Sequence, residues 1–115
     1  MAISKVERDV LKLNEGAEIT ITSKNAVFGA DAVGGDYKVL FLFANGGNAK
    51  ATVTIAVGDG PLGAGDDLVV DVKAGKTVGI VVDSAYFKQF TGEYKDCYKV
   101  TPSAALDVSI IELPQ

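Results

Sequence analysis

Histidine is absent from this chain, and cysteine and arginine each occur once. Without histidine there is no imidazole acid or base, no Ser–His or Cys–His nucleophile pair, and no common zinc ligand set. Cys97 can form no disulfide within the chain and belongs to no metal-binding cysteine cluster. It lies in Tyr94-Lys95-Asp96-Cys97-Tyr98, where a half-buried thiol acting as a small hydrophobe is expected. Positive charge is also scarce, with 11 basic residues against 15 acidic ones and a net charge of −4. Nucleic-acid binding by counterion release needs a basic surface, so no nucleic-acid partner is expected. No apolar run approaches the ~20 residues of a membrane span, and Met1–Lys5 lacks the apolar core of a secretory leader. A protein made in the cytoplasm, with no membrane partner and no cofactor, is therefore expected.

What the 115 residues do contain is β-branched. Val and Ile together number 22 against 8 Leu, with 13 glycines between them, a balance that favours strands over helices. Glu18-Ile19-Thr20-Ile21-Thr22 alternates like a half-buried strand. Tyr37 to Ala44 is apolar on both faces and bounded by Gly34-Gly35 and Asn45-Gly46-Gly47-Asn48, as in a central strand. Ala51, Val53, Ile55 and Val57 alternate with polar or small residues, predicting a hairpin over 37–57. Leu68, Val70 and Val72, an Ala74-Gly75 turn, then Val78, Ile80 and Val82 predict a second hairpin over 68–82, with Asp71 and Lys73 exposed. Two further strands flank Pro102-Ser103. The fold class is all-β: a single sandwich of about seven mostly antiparallel strands, Ig-like or jelly-roll-like, with at most one short helix.

Two segments fit less simply. Ser4-Lys5-Val6-Glu7 matches a capping box and Val6, Val10 and Leu13 recur at helical spacing, yet Val6–Leu13 suits an extended arm equally. Residues 1–15 are accordingly read as an N-terminal arm or short helix, and 16–115 as the sandwich domain. Asp83 to Phe90 predicts one helical turn under a loop.

Gly75-Lys76-Thr77 ends like a phosphate-binding loop, but Val70 stands where that motif requires glycine. In Gly58–Asp67, Asp59, Asp66 and Asp67 offer oxygen to calcium without the ligand ladder of an EF-hand, so a structural loop without metal is expected. Asp66 and Asp67 are adjacent and point to opposite faces, which is unsuited to a glycosidase pair. Five of the nine aromatics, Tyr86, Phe87, Phe90, Tyr94 and Tyr98, fall within thirteen residues. They would make a sugar platform if exposed, or plug one end of the sandwich if not.

The run Ala56–Gly63, Asp67–Val70, Lys73-Ala74-Gly75-Lys76-Thr77 and Asp83–Lys88 resembles small structural proteins of tailed bacteriophages and prophages, of the head-decoration type. The likeness rests on Gly58, Gly60 and Gly63, on Ala74-Gly75, on Ser84–Lys88, and on Val108–Pro114 as a closing strand, and covers about residues 50–115. It implies a virion component of the auxiliary-capsid type, made in the host bacterial cytoplasm and carrying no catalytic residues. The expected function is thus non-enzymatic: a capsid decoration protein docking on the major capsid protein or other virion subunits, itself a homo-oligomer, with strand pairing between chains supplying affinity. The candidate interaction surface is Lys5, Arg8, Lys12, Tyr86, Phe87 and Phe90. The alternative is a carbohydrate-binding module, calcium-assisted or not.

Overall fold

The computed structural model describes residues 4–32, 39–59 and 65–114. The Gly34-Gly35 boundary, the start of the Tyr37 run and the Gly60–Ala64 part of the glycine-rich loop lie outside them. Among the described residues the chain forms nine strands and one helical turn. These are β1 (Asp9–Val10), β2 (Thr22–Lys24), β3 (Phe28–Asp31), β4 (Val39–Ala44), β5 (Ala51–Ile55), β6 (Leu68–Val72), β7 (Thr77–Val81), α1 (Ser84–Phe87), β8 (Cys97–Pro102) and β9 (Leu106–Glu112).

One sheet has the order β3-β8-β5-β6; in the other β9 lies between β4 and the short β1 and β2, and β7 forms the far edge. Among the described residues all pairings between these strands are antiparallel except β1 on β9, and Lys5 adds an isolated parallel bridge to Gly29. Setting β1 aside, the orders β2-β9-β4-β7 and β3-β8-β5-β6 are those of an eight-stranded jelly roll.

Neither expected hairpin exists. β4 and β5 lie in different sheets, as do β6 and β7, so the 45–50 and 73–76 turns are arches that carry the chain across the core. Gly75 at φ 74° supplies the left-handed residue of its arch. Asn45 ties the two arches together. Its buried side-chain amide donates to the Ala49 carbonyl (2.8 Å) and the Val72 carbonyl (2.9 Å), and its Oδ1 accepts from Gly47 N–H (2.9 Å). Its backbone accepts from Gly75 N–H (2.8 Å) and donates to the Lys76 carbonyl (2.9 Å).

The predicted faces hold. Val53, Ile55, Val72, Ile80, Val82, Val108 and Ile110 are buried, Val70 packs against them, and Asp71 and Lys73 are exposed. Phe28, Phe41 and Phe43 fill the centre, with the Tyr98 ring edge-on to Phe41 at 5.6 Å. Pro102 ends β8 opposite Val53, whose backbone turns toward β6, so the missing N–H costs no bond to β5.

Residues 1–3 of the N-terminal segment lie outside the described residues; residues 4–11 are extended, not helical. Val6 N–H donates to the Gly29 carbonyl (3.1 Å), Gly29 N–H donates to the Ser4 carbonyl (2.8 Å), and Leu11 N–H donates to the Glu112 carbonyl (2.9 Å). Residues 4–11 therefore bond first to the edge of one sheet and then to the other. Val6 is 6% exposed and belongs to the core, so this part of the expected arm is structural. Burial of Val6 and the ladder bonds outweigh the local capping signal.

Candidate functional site

The strand directions gather residues 56–59, 65–67 and 82–96 at one end of the sandwich, and the turns at 45–50, 73–76 and 103–105 at the other. At the first end the proposed surface residues divide. Lys5 donates to Asp31 at 3.0 Å, and Arg8 donates to Glu112 at 2.6 Å with Asp31 3.9 Å away. The Lys5 bond is the main influence holding the Asp31 carboxyl below its ordinary 3.8, and the same bond raises Lys5. Both basic side chains are thus engaged within the chain; Lys12 is exposed. Phe87 packs against the core, whereas Tyr86 and Phe90 remain 45% and 37% exposed. Asp31 pairs with Cys97 and Lys88 bridges to Tyr98, so the basic and aromatic groups flank opposite sides of the first residues of β8.

The acidic loop has structural partners. Asp59 accepts from Phe90 N–H (2.6 Å) and from the Thr91 hydroxyl, and these bonds, the hydroxyl first, lower its pKa. Asp67 accepts from Val57 N–H at 2.8 Å. Among the described residues no group of three His, Cys, Asp or Glu is placed to hold a metal ion. Gly58 sits where its Cβ would be 2.3 Å from the Lys88 carbonyl oxygen, so only glycine lets the loop and the 86–88 backbone approach. Cys97 is buried; desolvation, then its bond to Asp31 (3.5 Å), raises the thiol pKa, which leaves little thiolate.

The sequence reading missed an apolar groove on the outer face of the β9-β4-β7 sheet. Leu42 and Ala44 alternate with the buried Phe41 and Phe43, and Thr77, Asp107 and Ser109 stand beside them. Ile19 and Ile21 form the remaining wall of this open groove of about 360 Å³. The 18–22 stretch is not the half-buried strand it resembles, for β2 begins only at Thr22. Asp9 accepts from Thr20 N–H (2.6 Å) and the Thr20 hydroxyl (3.1 Å), which takes this backbone out of any ladder and sets the flanking isoleucines over the sheet. Ile21 is 67% exposed. Gly79 lies beneath Leu40 and Leu42, whose methyls come within 3.6 and 3.4 Å of where its Cβ would stand. The signal was present in β4, whose second apolar face demands a cover.

No helix among the described residues is long and apolar enough to cross a membrane. Against this fold and these surfaces, comparison with protein families, curated proteins and solved structures finds no match.

Proposed function

We propose that this protein is a non-enzymatic structural subunit of a bacteriophage virion, a decoration or stabilising protein that docks on the head lattice by surface complementarity. The observation that carries this reading is the open groove built by Ile19, Ile21, Leu42 and Ala44, edged by Asp107. An exposed apolar surface with a polar rim suits a protein partner. The jelly-roll strand order is compatible with this role, since virus capsid domains use it, but lectins and cupins use it as well.

The test is co-sedimentation of the purified protein with phage heads that lack their decoration subunit. Saturable binding is expected, weakened about tenfold or more by Leu42→Asp and by Ile21→Ser. Failure to bind, or binding indifferent to both changes, overturns the proposal. The exposed Tyr86 and Phe90, beside Asp59, favour a second reading as a carbohydrate-binding module. Saturable glycan binding lost in Tyr86→Ala and Phe90→Ala would select it.

A further inference from the structure

We infer that β6 is a self-pairing edge through which two copies of this chain join their β3-β8-β5-β6 sheets into one continuous sheet. This inference does not rest on the virion reading.

The two flanks of the sandwich differ. On one, the N-terminal segment hydrogen-bonds to both sheets. On the other, β6 and β7 end their sheets, and among the described residues each pairs with a single neighbour. Backbone direction on β6 follows from β5. Ser103 N–H donates to the Thr52 carbonyl (2.8 Å), Thr52 N–H donates to the Ser103 hydroxyl (2.8 Å) and Ala56 N–H donates to the Lys99 carbonyl (2.9 Å), so the even-numbered residues of β5 face β8. Ala51, Val53 and Ile55 then face β6 and bond to their partners Val72, Val70 and Leu68. The N–H and C=O groups of Val69 and Asp71 consequently point outward from the edge. The Val69 side chain is itself 59% exposed.

The flanking charges select a partner and a register. An isologous antiparallel pairing keeps each copy's outer face on the same side, so residues of one face must stand opposite each other. The two-fold axis with fullest overlap then falls at Val69, Val70 or Asp71. At Val69 it sets Asp67 opposite Asp71 of the second copy, and at Asp71 it sets two Asp71 carboxylates opposite each other. At Val70 it sets Asp67, one of whose oxygens already accepts from Val57 N–H, opposite Lys73 and Lys73 opposite Asp67, a self-complementary pair at each end. Val69 and Asp71 of the two copies then exchange main-chain bonds, and Leu68 stands opposite Val72 over the core face. Lys50, 3.7 Å from Asp71, offsets the charge that remains near the axis. The strand thus carries outward main-chain groups and a charge order that matches itself when reversed.

Sedimentation equilibrium of the full chain, with circular dichroism and thermal unfolding to verify each variant's fold, tests this. The wild type should dimerise, more weakly as salt rises because the flanking pairs are exposed. Lys73→Asp should weaken dimerisation about tenfold or more, whereas Lys73→Arg, which keeps the charge and leaves the Asp67 bond to Val57 N–H in place, should preserve it. Val69→Pro, which removes an outward N–H from an edge strand, should give monomers. If it fails to fold, the charge pair decides alone. A monomeric wild type overturns the inference. So does a dimer indifferent to Lys73→Asp, including one that responds instead to Ile21→Ser in the groove.

Discussion

Asn45 offers the sharpest check on the arrangement of the arches. Asn45→Ala removes two donated bonds, to Ala49 and Val72, and one accepted bond, from Gly47, at a site only 4% exposed. At a net value of about 1 kcal/mol per bond the loss is roughly 3 kcal/mol, and water cannot readily replace the partner at the buried Val72 carbonyl. That is a sizeable part of the ~5–15 kcal/mol that stabilises a typical domain. Urea unfolding followed by circular dichroism should place the loss between about 2 and 4 kcal/mol, with the slope unchanged. Asn45→Asp keeps the acceptor for Gly47 but sets a carboxylate against two carbonyl oxygens, so it should lose at least as much at pH 7. A cost below ~0.5 kcal/mol for Asn45→Ala would mean that the two arches are not joined as described.

Val6→Ala should cost about 1–3 kcal/mol by the same assay, because this side chain belongs to the core. Gly58→Ala should destabilise by about 2 kcal/mol or more, since its Cβ would lie 2.3 Å from a backbone oxygen; an unfolding midpoint equal to wild type would contradict that approach. Asp31 has a depressed pKa, so its contribution is present above its ordinary 3.8 and is lost as pH falls through the lower folded value. Asp31→Asn should therefore flatten the acid limb of the stability curve, by only ~0.2–1 kcal/mol because the pair with Lys5 is largely exposed. Cys97 should react slowly with a thiol reagent at pH 8 and rapidly after unfolding; fast labelling of the native protein would show the thiol to be accessible.

The faces of the strands were legible without coordinates. The period of two placed Val53, Ile55, Val72 and Ile80 inward and Asp71 outward, because alternation reports burial directly. The chain reversals at Asn45–Asn48 and Ala74-Gly75 were equally plain, since glycine and asparagine accommodate turn backbones. Alternation says nothing, however, about which edge a strand hydrogen-bonds along. The same pattern serves a hairpin within one sheet and an arch between two, and only long-range pairing, β4 with β9 and β7, β5 with β8 and β6, decided for arches. The surface followed the same division. Lys5 and Arg8 read as part of an interaction surface, but folding brings Asp31 and Glu112 to them from 26 and 104 residues away. Ile19 and Ile21 read as a strand until Asp9 claimed the backbone between them. Local chemistry determined what each residue could bury or turn. Which partners it met was decided by the tertiary structure, because those partners come from distant parts of the chain.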